Sequence, residues 1–161
     1  MFANNSAAPV AGTLLLRRMT SLGGLASNFV MAMGGTAGVT LTGVFGCLVT
    51  AAGVILAQTA DRSADAVLGI TLTLWTSPFI APVQLPAGDL YGGLLVATAV
   101  TMPSFCAFRT AVAPAINLGK SAAAGNLEAA SGPAGLAVLP ASPINMAALL
   151  NTAATAWMAV T

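Results

Sequence analysis

No charged residue occurs between Arg18 and Asp61, and that gap limits what this chain can fold into more than any motif does. An uncharged stretch of such length has to be covered by lipid, by the chain's own core or by other protein. Across all 161 residues 57% are hydrophobic and 6% charged, against roughly a quarter charged in ordinary soluble domains. A soluble monomer rarely leaves large continuous apolar patches bare. The length suits one domain with a substantial core and is short for two.

The stretch 36–60 would reach across a hydrocarbon layer of about 30 Å on length alone. Its residues argue for a different structure. Val39, Leu41, Val44, Phe45, Leu48 and Val49 are interrupted by Thr40, Thr42, Gly43, Gly46 and Gly53, a β-branched and glycine-punctuated pattern that suits pleated strands better than a helix. Between Ile70 and Phe108, Pro78, Pro82, Pro86, Pro103 and Asp89 interrupt the apolar run before it reaches spanning length. A small integral membrane protein is therefore the alternative from another class. A sheet covered by protein, with no membrane insertion, is the reading adopted.

The first ten residues, with Asn4, Asn5, Ser6 and Pro9, read as an extended arm that orders on assembly. They carry no basic region, so no ordinary signal peptide is expected, although Arg17 and Arg18 before apolar residues imitate a twin-arginine signal. Residues 11–161 form the single domain. Strands are expected over 12–20, ending in a turn at Gly23 and Gly24, then around Phe29, Met31 and Met33 on one face. A third covers 39–49 with a bulge at Gly43 or Gly46, a tight turn follows at 50–53, and 54–58 returns. The segment 59–68, holding Asp61, Arg62 and Asp65, reads as a solvated loop or helical turn. Ile70, Leu72 and Leu74 alternate with Thr71, Thr73 and Trp75 in the clearest period-two signal. That strand should stop at Pro78, with a turn at 86–88 and strands over 90–100 and 104–109. A long Ala/Gly/Pro-rich loop then runs to about Pro133, and 136–139 and 156–160 are the last strand candidates. Seven or eight short strands of this kind predict an all-β, antiparallel, jelly-roll-like sandwich.

Chemistry-bearing motifs are sparse. Gly119, Lys120 and Ser121 imitate the end of a phosphate-binding loop, but Pro114 stands where a glycine is required. Asp61, Asp65 and Asp89 could gather a cation or act as paired carboxylates, and a solvated turn is the favoured reading. With no histidine and one lysine, a nucleophile has almost no base to call on, and the usual zinc ligand sets are excluded. No enzyme, metal or cofactor is expected. A net charge of +1 offers no field for nucleic acid. Cys47 and Cys106 read as buried free thiols, with one disulfide as the alternative. Trp75, Tyr91 and Trp157 could stack on a sugar, although packing in a core or interface is preferred.

One resemblance adds to this. The run VFGCLVTAAGVILAQTAD, from Val44 to Asp61, resembles a repeated theme of tail-fibre and minor tail proteins of phages infecting actinobacteria. There a strand ends in Gly-Leu-Tyr, turns through Ala-Gly and returns to Leu-Ala-x-Thr-Ala-Asp. The run ITLTLWTSPFIAPVQLPAGDLYGG resembles the family's Leu-Thr … Pro … Val-Pro-Ala-Gly-x-Tyr-Tyr segment, and AVTMPSFCAFR its Thr-Leu-Pro-x-Phe strand. Leu136 to Pro143 and Trp157 are similar to its Leu-Pro-Ala-Ser loop and closing aromatic strand. Coverage extends from about Gly12 to the end. The chain departs by lacking a tyrosine near Cys47 and by carrying Ala66 and Val67 where a tryptophan is usual.

The resemblance implies a non-enzymatic virion β-sandwich on the particle surface. As a tail-fibre or tail-tip module, the favoured role, it would attach to the host surface through the loop 110–133, as a trimer, with a host cell-surface glycan as ligand. As a capsid decoration or head-fibre protein it would reinforce the shell through its N-terminal arm. Copies of itself and other virion proteins are the expected partners. Candidate contact residues are Asn4, Asn5 and Pro9 in the arm, Asn117, Lys120 and Asn126 in the loop, and Trp157.

Overall fold

The computed structural model describes residues 6–109, 129–151, 154–156 and 158–161. Among them ten strands occur in chain order: β1 (Ser6–Ala7), β2 (Leu15–Ala32), β3 (Thr42–Thr50), β4 (Ile55–Gln58), β5 (Leu74–Thr98), β6 (Phe105–Arg109), β7 (Ala129–Ser131), β8 (Leu150–Asn151), β9 (Ala154–Ala156) and β10 (Met158–Val160). Every pairing is antiparallel. A seven-stranded sheet runs β4-β3-β5-β2-β7-β8 with β10 also on β2, and a three-stranded sheet runs β1-β6-β9. The described end of the expected arm is thus a strand, with Ser6 opposite Cys106 and Ala7 opposite Phe105.

Two strands are far from short: β2 has 18 residues and β5 has 25. They pair with each other from Leu15 opposite Leu94 to Ala32 opposite Leu74. The turns expected at Gly23–Gly24 and at 86–88 are instead two sides of one kink in this ribbon. Gly23 and Pro86 fall at the single skipped pair between Leu22–Ala87 and Gly24–Leu85. Proline has no N–H to give there, and the Gly23 N–H turns to its own neighbour, the Ser21 hydroxyl, at 3.0 Å. Positive φ at Gly23 (+86°), Gly24 (+120°) and Gly88 (+117°) supplies the bend. Pro78 does not end the strand either. It lies opposite Asn28, and the register then slips, so that residues 79–82 bow out before Val83 resumes opposite Ala26.

Three other expectations are corrected. The strand expected from Ile70 begins only at Leu74, because 66–69 form a 3-10 turn and bends follow it. Residues 136–139 form no strand; Leu136 makes one backbone bond to Gly12 and the chain then turns away. The irregularity in the β3–β4 pair falls on β4, where Leu56 is the extra residue opposite the Leu48–Val49 step, and not at Gly43 or Gly46 of β3.

The centre of the large sheet is buried on both faces, as residues 90–97 of β5 show. One face holds Phe29, Met31, Val44, Leu48, Trp75 and Leu94, with Phe105 of β6 packed among them. The other holds Leu14, Leu16, Cys47, Val49, Tyr91 and Leu95 under Ile144, Met146 and Leu149. Period-two alternation along β3 and β5 distributes neighbours to the two layers. Gly46 is small for a reason of space, since a Cβ there would sit 2.6 Å from the Phe29 ring.

Candidate interaction surface

Three turns meet at one end of the sheet. The Leu72 N–H donates to Gly34 O at 2.9 Å, Gly38 N–H to Leu68 O at 2.8 Å, Val39 N–H to Thr101 O at 3.0 Å, and Val100 N–H to Val39 O at 3.0 Å. The Ser104 hydroxyl accepts from the Thr36 N–H at 2.8 Å. These bonds stitch 33–41, 66–73 and 99–104 together, and none of those segments contains a charged residue. Met33 and Leu68 of these segments are buried, but other apolar side chains here, with the adjoining Leu74, point outward: Val39 is 48% exposed, Ile70 52%, Leu72 65%, Leu74 57% and Val100 77%.

Backbone strain is concentrated at the same end. Among the described residues the non-glycine positions with positive φ are Thr40 (+49°) and Leu72 (+55°). A left-handed leucine costs about 1–2 kcal/mol, and burial within its own chain offsets only part of that, since Leu72 is 65% exposed.

Ile70, Leu72 and Leu74 are thus exposed, and so is Thr71, so the expected alternation does not act as a strand before Leu74. The inward phase of β5 belongs to Trp75, Ser77 and Phe79. Two aromatic rings bury more area than the leucines opposite them, and Trp75 packs edge-on against Phe29 with centroids 6.0 Å apart. That aromatic phase was the signal available in the sequence for finding the exposed surface.

The charge cluster braces this end. Asp65 Oδ2 accepts from Arg62 Nε at 3.0 Å and from Trp75 Nε1 at 2.9 Å, tying the 3-10 turn to the start of β5. Asp61 Oδ1 accepts the backbone N–H groups of Val44 at 3.0 Å and Ser63 at 2.9 Å. Burial pushes the Asp61 pKa up, but the hydrogen bonds from Ser63, Val44 and Gly43 outweigh it and hold the carboxyl below its ordinary value. The two carboxylates therefore serve separate backbone and side-chain partners. Asp89 lies elsewhere, paired with Arg18 and accepting from the Thr20 hydroxyl at 3.3 Å. Among the described residues no group of three potential ligands could hold a metal.

Two concavities are lined by described residues. One of about 490 Å³ lies along β2 beside the chain end, and one of about 450 Å³ lies between Gly12, Gly43, Phe45, Asp61 and residues 135–138. Trp75 and Tyr91 are both buried, so neither offers a ring face to a sugar. Cys47 and Cys106 are free thiols. Burial drives the Cys47 thiol pKa up to about 12, while the Cys106 S–H donates to Met33 O at 3.2 Å.

Of the contact residues expected from sequence, Pro9 is buried next to β1. Asn4, Asn5, Asn117, Lys120, Asn126 and Trp157 lie outside the described residues, as do the Gly119–Ser121 motif and most of the loop 110–133. No helix among the described residues is long and apolar enough to cross a membrane. Comparison with known proteins finds no matching family model, curated protein or solved structure.

Proposed function

We propose that this chain is a non-enzymatic structural module of a bacteriophage particle, an antiparallel β-sandwich that assembles with copies of itself and other virion proteins in a tail fibre or tail tip that attaches to the host surface. The observation that carries the reading is the uncharged end bearing Val39, Ile70, Leu72, Leu74 and Val100, with two strained residues held in it. Strain persists where the surrounding structure over-determines it, commonly at sites of recognition, and a contiguous apolar surface marks an interaction site.

Two further features support it. Phe105 of the three-stranded sheet packs into the core on one face of the large sheet, which is the contact a two-layer sandwich needs. The sequence runs around Val44–Asp61 and 70–93 resemble tail-fibre modules. Trimerisation through the apolar end would bury the leucines, leaving the remaining loops to meet a host glycan.

Sedimentation equilibrium on the purified chain tests the assembly step, and immunogold labelling of intact particles tests location. A trimer and labels at the tail tip are expected. A chain that stays monomeric at high micromolar concentration, or particles that carry no label, would refute the proposal; labels spread over the capsid would replace the tail role by shell decoration.

A further inference from the structure

The concavity of about 450 Å³ has a single charged residue in its wall, Asp61. The backbone sets its shape. Gly43, at φ +59°, lies so close to the loop 135–138 that a Cβ there would sit 2.8 Å from Ala137 O, and the Leu136 N–H ties that loop to Gly12 O at 2.8 Å. The structure describes 6–109 and 129–151 without a break, so every wall residue and its neighbours in sequence are placed.

We infer that this concavity is a docking pocket for one lysine side chain of a partner protein, its ammonium against Asp61 and its apolar stem along Phe45, Leu136 and Val138. Charge complementarity selects a cation. Asp65 is paired with Arg62 and Asp89 with Arg18, whereas Asp61 has no cationic partner among the described residues. Burial raises the Asp61 pKa less than the hydrogen bonds from Ser63, Val44 and Gly43 lower it, so the carboxylate keeps its charge at neutral pH.

The available acceptors favour an ammonium over a guanidinium. Asp61 Oδ1 already accepts the Val44 and Ser63 N–H groups, at 3.0 and 2.9 Å, and a two-pronged guanidinium needs both carboxylate oxygens. An ammonium is a point charge with three donors. Thr42 and Thr98, whose hydroxyl oxygens lie 2.6 Å apart in the same wall, accept the other two. The stem has apolar company, because Phe45 and Leu136 are half-buried and Val138 is 62% exposed, and lysine lays its methylenes on such surface while its head stays with polar groups. A free amine gains little from one exposed ion pair, so the lysine needs a carrier. Thr42 and Thr98 adjoin the segments 33–41 and 99–104 of the uncharged end, and a protein covering that end brings its lysine to the mouth of the pocket. This inference is independent of the virion reading.

Amide chemical shifts of the isotope-labelled full chain test it with defined probes. Lysine capped by acetyl and methylamide groups is expected to shift the Gly43, Val44 and Ser63 amides saturably. Capped norleucine, which keeps the stem and lacks the charge, is expected to bind about fivefold more weakly, and capped arginine more weakly than lysine. Asp61→Asn is expected to abolish the lysine advantage; should that variant not fold, the comparison of ligands on the unaltered chain decides alone. A Leu-Lys-Leu peptide is expected to bind more tightly than capped lysine, because it also reaches the uncharged end, and equal affinity would overturn the protein carrier. The pocket itself is overturned if capped lysine leaves those amides in place at saturating millimolar levels, if norleucine, arginine or a neutral hexose matches it, or if its advantage survives in a folded Asp61→Asn chain.

Discussion

Replacing Leu72 by asparagine separates what this side chain does for the fold from what it does for assembly. Its φ of +55° costs a leucine about 1–2 kcal/mol, and asparagine tolerates that conformation far better. At 65% exposure about a third of the side chain is buried, which is worth about 0.5–1 kcal/mol of the about 1.5–3 kcal/mol for full burial. The backbone bond from the Leu72 N–H to Gly34 O, 2.9 Å long, survives the substitution. Leu72→Asn should therefore leave the isolated chain unchanged or stabilise it by up to about 1.5 kcal/mol. In an assembly that covers the remaining two-thirds of the side chain, the loss is about 1–2 kcal/mol per copy, or roughly 5- to 30-fold in dissociation constant. Urea unfolding at low concentration reads the first quantity and sedimentation equilibrium the second. A destabilisation above about 1 kcal/mol in the monomer would show that the leucine works within its own chain, and unchanged association would remove this end of the molecule from the interface.

Three other substitutions and one reactivity contrast follow from the packing and hydrogen bonding. Ser77 is buried between Trp75 and Phe79 on β5, and its hydroxyl has no hydrogen-bond partner among the described residues; Ser77→Ala should stabilise by about 1 kcal/mol in urea unfolding, and a loss would mean the hydroxyl is satisfied. Gly46→Ala forces a Cβ to within 2.6 Å of the fully buried Phe29 ring, so a loss of about 1–3 kcal/mol is expected, whereas a neutral result would show that the ring moves aside easily. A maleimide at pH 8 should label Cys106 ahead of Cys47, whose buried thiol is pushed up to about 12, with Cys47 reacting only as fast as the chain unfolds; equal rates would contradict the packing around it. Because the Asp61 pKa is lowered on folding, its contribution is present above the unfolded value near about 3.9 and is lost as pH falls through the folded one. Asp61→Asn should flatten that acid limb of the stability profile, and superimposable limbs would count against the hydrogen bonds to Val44 and Ser63.

Much of the β character was legible in local sequence. Val44–Val49 and Leu90–Val96 are strands because β-branched and apolar residues recur there between glycines, and the Thr50–Gly53 turn forms where expected. The direction of a face was harder to read. Ile70, Leu72 and Leu74 alternate as well as any buried set, yet Trp75 and Phe79 in the opposite phase compete for the same core and win on area. Of the expected contact residues, only Pro9 falls where the structure can place it, and it is buried.

What the residues determined alone is that this chain is a sheet with too little charge to cover itself, since strand propensity, proline spacing and charge content are all local or summed properties. The partner of each strand lies many residues away, and local composition cannot tell a turn from a kink in a paired ribbon. Only the tertiary structure therefore decided that Gly23 and Pro86 face each other within one long β2–β5 pair. It also decided which apolar residues remain outside, because burial is awarded by competition between distant segments for one limited interior.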